Sequence, residues 1–180
     1  ASASSSISIS STDLYQSLYE AAGWKGSITS YTAAQGTGAL TPNPAWQIAG
    51  KSQSTADKLD AIAVDNPMAN RVIYTYNGGG KQFLWDNLST TTGGQQDLLR
   101  DGATGAAGTT LAKDRLNFIR GDRRLEGDTT GKPFRTRVSR QGDIINSTIW
   151  YTARPANGYG LTGYSAFATT HKDRMPMLYV

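Results

Sequence analysis

Cysteine is absent from this 180-residue chain, histidine occurs once and glutamate only twice. Without cysteine there is no disulfide staple, no thiolate metal site and no cysteine nucleophile, although exported proteins can also lack disulfides. The lone histidine, His171, excludes a multi-histidine metal centre or a histidine acid–base pair built from this chain alone. No apolar run approaches the ~20 residues of a membrane-spanning helix. What the chain has instead is 20 Gly, 16 Ser and 21 Thr, about a third of all residues, with 38% hydrophobic. Glu, Lys, Leu and Ala fill helix surfaces, whereas Thr, Tyr, Val and Ile suit strands and Gly, Ser and Asn suit turns. The composition therefore predicts a mainly β protein with a few short helices and many loops. Its length suits one domain.

Along the chain, residues 1–12 read as a Ser-rich leader or linker, with period-two alternation over 4–10 that also fits an edge strand. Residues 13–19 and 24–31 read as antiparallel strands broken at Ala21-Ala22-Gly23. Ser54-Thr55 can cap a short helix running to Val64 and closed by Asn66-Pro67. The clearest hairpin is 71–76, turn Asn77-Gly78-Gly79-Gly80, and return 81–85. Residues 101–110 read as a loop and 111–119 as two helical turns, with Gly121 placed for a left-handed cap. Residues 143–151 are strand material, followed by a Gly/Tyr-rich loop and a final strand over 175–180. That hydrophobic finish is the mark expected of a truncated chain. Trp24, Trp46, Trp85 and Trp150 are the expected aromatic anchors.

The net charge of +4 is concentrated in one segment. Residues 113–140 hold nine basic side chains against four acidic ones, Asp114, Asp122, Glu126 and Asp128. Interleaving of the two signs points to a solvated face with a few structural ion pairs. With Phe134 as the one aromatic between Arg123 and Arg140, a stacking platform for nucleic acid is not expected.

Several landmarks carry a family resemblance. Trp24-Lys25-Gly26-Ser27-Ile28, Ala45-Trp46, Arg71-Val72-Ile73-Tyr74-Thr75 and Phe83-x-Trp85 come first. The most specific are Leu116-Asn117-Phe118-Ile119-Arg120-Gly121-Asp122-Arg123-Arg124-Leu125-Glu126, then Phe134-Arg135-Thr136-Arg137, Gly142-Asp143-Ile144-Ile145-Asn146-Ser147 and Arg174-Met175-Pro176-Met177-Leu178-Tyr179-Val180. Over residues 13–180 the chain resembles the PilC/PilY family of type IV pilus tip-associated adhesins, at the start of their C-terminal β-propeller. The resemblance implies a partial β-propeller and a non-enzymatic protein exported through the periplasm to the bacterial cell surface and pilus tip. It also implies roles in pilus biogenesis, twitching motility and adhesion. The implied partners are minor pilins, host or abiotic surfaces and the rest of the same propeller, with no nucleic acid. Gln141 and Thr148-Ile149 depart from the family's usual residues.

Some family members carry an Asp-rich calcium loop just before Arg-Gly-Asp. Here that place holds residues 101–109, in which Asp101 is the one carboxylate, so the expectation is a degenerate loop that binds no calcium, with calcium left to other parts of a longer protein. Arg120-Gly121-Asp122 is the receptor-binding candidate, since Arg and Asp on either side of a Gly can bridge an acidic pocket and a bound metal on an integrin. The competing expectation is structural: Gly121 ends a helix while Arg120 and Asp122 pair with neighbours. The tripeptide arises by chance in roughly one chain in thirty of this length. Arg135, Arg137 and Asp143 are expected to form an ion-pair lattice. Ser165, His171 and Asp173 lack the nucleophile elbow of a hydrolase. Asp13, Glu20 and the carboxylates of Asp57 to Asp65, Asp60 among them, are those from which a glycosidase pair would have to come. The alternative function is a carbohydrate-binding or hydrolytic propeller fragment, with Tyr159 and Tyr164 as the aromatic faces to inspect.

Overall fold

Alternation of side chains along extended backbone organises the first part of the chain, in a computed structural model that describes residues 2–9, 13–48, 51–62 and 71–180. The chain divides into two units, Ala1–Leu59 with Gln141–Val180, and Asp60–Arg140. In the first, strands β1 (Ser2–Ile9), β2 (Asp13–Glu20), β3 (Lys25–Ala33) and β4 (Leu40–Pro42) form an antiparallel meander in sequence order. Of the two readings of the N-terminal segment, the described residues adopt the edge strand. Period two places Tyr15 and Ser17 of β2, and Gly26, Ile28 and Ser30 of β3, on one buried face. Tyr15 faces Ser30 and Ser17 faces Ile28 across the ladder.

A two-stranded ribbon, β5 (Gln47–Ile48) and β6 (Lys51–Ser52), leads to helix α1 (Thr55–Asp60). Its start is a reciprocal capping box. The Asp57 N–H donates to Ser54 Oγ at 3.2 Å, and the Asp57 carboxylate accepts the Ser54 N–H at 2.9 Å and its hydroxyl at 2.8 Å. The Ser54 N–H bond is the main reason the Asp57 carboxyl sits below its ordinary range. The continuation expected through Val64 to Asn66-Pro67 lies outside the described residues.

The second unit opens on the hairpin β7 (Tyr74–Tyr76) and β8 (Gly80–Gln82), paired Tyr74 with Gln82 and Tyr76 with Gly80. Gly78 takes the positive φ of 66° that the turn requires. The return strand is shorter than expected, because Trp85–Asn87 coils into a 3₁₀ turn. Helices α2 (Gln95–Arg100) and α3 (Gly105–Arg120) follow, and Leu88, Ala112 and Leu116 are buried. The loop expected over 101–110 is largely helix. Ala106, Ala107, Leu111 and Ala112 favour it, and Gly108 is needed there because a Cβ would stand 2.5 Å from the Ala103 carbonyl.

The chain then returns to the first unit with β9 (Trp150–Thr152), α4 (Tyr164–Thr170) and β10 (Met177–Tyr179), the two strands pairing antiparallel. Ile144 and Ile149 bury against Tyr15 and Ile28, with Trp46, Tyr151 and Leu178 packed around them. Tyr15 stacks on Tyr151 at 5.8 Å. Small residues on the sheet face allow this segment to come close. Gly26 donates to the Gly142 carbonyl at 2.9 Å, and a Cβ at position 26 would lie 2.5 Å from that oxygen.

Three expectations are corrected. The strand predicted over 143–151 is irregular chain, bent at Asn146, which takes a left-handed φ of 54°, and held by two buried isoleucines, with ladder pairing confined to β9. Part of the Gly/Tyr-rich loop is α4. Trp24 and Trp150 are 64% and 71% exposed and stand outside the described core cluster, because one sits in the β2–β3 turn and the other faces outward from β9 while Tyr151 faces in. The half-buried Trp46 and Trp85 do pack. Lys58 lies over the Trp46 ring at 4.4 Å and Lys113 over Trp85 at 5.6 Å.

Candidate functional site

The end of α3 is the focus, because a helix C-terminus leaves carbonyls without intrahelical donors and carries partial negative charge. Arg120-Gly121-Asp122 is that terminus. Gly121, at φ 112°, donates to the Phe118 carbonyl at 3.0 Å, and Asp122 donates to that of Asn117 at 2.9 Å. Those two bonds make a Schellman cap. Glycine is favoured by that φ, and a Cβ here would also displace the Arg71 guanidinium, whose Nη1 it would meet at 2.8 Å.

Arginine side chains add further donors to the carbonyls around this turn. Arg137 donates to Phe118 O and Asp122 O, both at 2.8 Å, Arg71 to Arg120 O at 2.8 Å, and Arg140 Nε to Gly121 O at 2.7 Å. Arg140 also reaches the carbonyls of Asp60 and Ile62 at 3.1 and 2.7 Å. A fixed fork of donors suits a guanidinium to such clusters of oxygens. Two carboxylates balance part of the charge. Glu126 accepts from Arg137 Nε at 2.7 Å and Arg123 Nε at 3.2 Å, and Asp60 from the Arg140 N–H at 2.8 Å. Arg137 further lies 3.9 Å over the Phe118 ring. Burial lowers the pKa of Arg71, Arg120 and Arg140 below the ordinary arginine value.

Within the candidate tripeptide, Arg120 and Asp122 are 9% and 6% exposed. The Asp122 carboxylate accepts the Arg124 N–H at 2.9 Å and Arg124 Nε at 3.1 and 2.9 Å. Burial is the largest single influence on this carboxyl and works to raise its pKa. The Arg124 hydrogen bonds and the charges of Arg124 and Arg140 outweigh it, leaving Asp122 below its ordinary range.

The basic segment is a solvated face only in part: Lys113, Arg124, Lys132 and Arg135 are exposed and the expected ion pairs form at Asp122 and Glu126, but Arg120 and Arg140 are buried. The expected lattice forms with different members: Arg137 pairs with Glu126, while Arg135 and Asp143 are exposed. The parts that Asp60 and Arg71 play in this cluster were missed. No local pattern marks either, because their partners lie far along the chain.

Asp101 caps α2 in the left-handed region, and its carboxylate pairs with Arg115 at 3.2 Å. Arg115 also holds the Leu99 and Arg100 carbonyls at 2.8 and 3.0 Å. From Gly105 the chain is helical, so the residues after Asp101 do not form a loop of oxygen ligands. One carboxylate already paired with a guanidinium does not fit calcium. Among the described residues no group of three or more His, Asp or Glu side chains gathers to hold a metal.

His171 ends α4 with its ring 4.6 Å from that of Phe167, and among the described residues no hydrogen bond joins it to Ser165 or Asp173. Asp13 accepts from Thr32 Oγ1 at 3.1 Å, Asp57 is held in the capping box, and Asp65 lies outside the described residues. Tyr159 and Tyr164 meet edge to face at 5.3 Å beside an open cleft.

No protein-family model matches the chain, and no solved structure matches it. Curated relatives do. The type IV pilus biogenesis factor PilY1 of Pseudomonas aeruginosa strain PAO1 is 35% identical over 169 residues, covering 87% of this chain and 13% of that protein. Its counterpart in strain PAK is 34% identical over the same coverage, and the PilY1 homolog of Xylella fastidiosa is 29% identical over 178 residues, 92% of this chain and 12% of the relative. The chain therefore spans about an eighth of the length of the curated relatives it matches. It belongs, over that stretch, to the PilC/PilY family.

Proposed function

We propose that the chain is a non-enzymatic segment of a type IV pilus biogenesis factor of the bacterial cell surface. The observation that carries this reading is its 35% identity, over 87% of its length, to PilY1 of Pseudomonas aeruginosa. The finer placement is a tip-associated protein that meets minor pilins and host or abiotic surfaces, with roles in twitching and adhesion. The meander β1 to β4 supports a partial propeller, since four antiparallel strands are the size of one blade.

Arg120-Gly121-Asp122 works in this reading as a helix cap and not as a receptor contact. Its support is the burial of both charged side chains and the use of their backbone groups by the cap and the arginines. In-frame deletion of this segment from the full-length gene of a piliated bacterium tests the main reading. Surface pili and twitching should both fall, with the remaining protein still exported. Parental piliation and twitching would refute it.

A further inference from the structure

Residues 150–174 gather side chains that the core of their unit does not use. Strand alternation on β9 sends Tyr151 to the core and Trp150 outward, where it is 71% exposed. Together with Arg154, Tyr159, Tyr164, Phe167 and Arg174, Trp150 lines a cleft of about 530 Å³. That volume lies within the ~300–1,000 Å³ of small-ligand clefts. Part of the lining is fixed in place. Tyr164 Oη accepts the Asn157 N–H at 3.1 Å, and its ring abuts Tyr159 at an interplanar angle of 88°. Exposed aromatic faces grouped this way need an explanation that single surface hydrophobics do not.

The two arginines are the second observation. Arg71, Arg115, Arg123, Arg124, Arg137 and Arg140 of the other unit are tied to carbonyls or carboxylates, whereas Arg154 and Arg174 are exposed and, among the described residues, form no ion pair. A cleft with aromatic faces and free guanidinium forks complements a ligand that is apolar on a ring face and carries a carboxylate.

We propose that this cleft binds an acidic glycan, a chain of uronic-acid sugars. The C–H face of a pyranose ring lies on Trp150 or Tyr159, and its carboxylate takes the fork of Arg154 or Arg174. A single-stranded nucleic acid fits less well. Residues 141–180 carry only Arg154, Lys172 and Arg174 against Asp143 and Asp173, too little charge to track a phosphate backbone. The perpendicular tyrosines also offer no run of parallel faces for successive bases. The site rests on the cleft alone and stands whether or not the pilus reading does.

The test titrates the purified chain with galacturonate oligomers, neutral maltose oligomers and oligodeoxythymidylate, followed by calorimetry and tryptophan fluorescence. Saturable, salt-sensitive binding of the galacturonate oligomers and none of the neutral sugar is expected. Arg154→Gln, Arg174→Gln and Tyr159→Ala should each weaken it about tenfold, the loss of one charged hydrogen bond or one stacking face. Their unfolding transitions should match the parent's, because all three side chains are exposed. Should Tyr159→Ala disturb folding, Arg154→Lys keeps the charge, loses the bidentate fork and still weakens binding. The proposal is overturned by no saturable binding at millimolar galacturonate, by equal binding of the neutral sugar, by tighter binding of oligodeoxythymidylate, or by variants that bind as the parent does.

Discussion

Replacing Asp122 by Asn removes one charge and almost no volume, so it isolates what the carboxylate does. The side chain is 7% exposed and holds Arg124 through its backbone N–H and its guanidinium. Asn keeps one oxygen for the N–H but turns an amide donor toward the guanidinium. Hydrogen bonds to a charged group contribute about 1.5–3 kcal/mol. Because the Arg124 side chain is 55% exposed and can return to water, the loss belongs near the lower end, about 1.5–2 kcal/mol. For a chain of this size that lowers the thermal midpoint by about 3–8 °C at neutral pH. The carboxyl's pKa is depressed in the folded protein. Its contribution is therefore complete above the unfolded value of about 3.9 and is lost as pH falls through the lower folded value. Thermal unfolding followed by circular dichroism at neutral pH and near pH 2 should show a gap between parent and variant that closes in acid. Equal midpoints at neutral pH would refute the reasoning, as would a gap that persists unchanged in acid. A receptor-contact role predicts the opposite pattern, a stable variant that fails only in adhesion.

Gly26→Ala should destabilise the first unit by about 3 kcal/mol or more, because its Cβ would meet backbone atoms of Gly142 and Ile144 at 2.5 and 2.6 Å that cannot rotate away. A urea midpoint equal to the parent's would contradict that close approach. Arg137→Lys keeps the charge but cannot span Glu126, Phe118 O and Asp122 O together. With the Arg137 side chain 11% exposed, a loss of about 2–4 kcal/mol in urea unfolding is expected, and a loss under about 1 kcal/mol would show that the fork geometry is dispensable.

Features that depend on a few neighbouring residues were legible in the sequence. The two strands around Ala21-Ala22-Gly23, the turn at Asn77-Gly78, the capping serine at Ser54 and the left-handed glycine at Gly121 all follow from period, turn chemistry or cap preference. Composition likewise set the class, small antiparallel sheets with short helices. Helix α3 was half legible. Its N-terminal turns carry Gly105 and Gly108, which read as loop until the close approach of Ala103 shows why glycine stands there.

The arginine-rich segment was decided by tertiary structure. A guanidinium looks the same in a sequence whether it is solvated or laid against a helix end, and its partners here stand up to 80 residues away, as Arg140 does from Asp60. Arg-Gly-Asp shows the division most clearly. The sequence determined that Gly121 ends a helix, a local consequence of glycine's free φ. Only the folding back of residues 137–140 and of Arg71 onto that helix end determined that its arginine and aspartate are buried. Hydrogen bonds between distant segments leave no periodic trace, and the same holds for the cleft at Trp150, which needed α4 and the strand pairing of β9 to bring its aromatics and its two free arginines together.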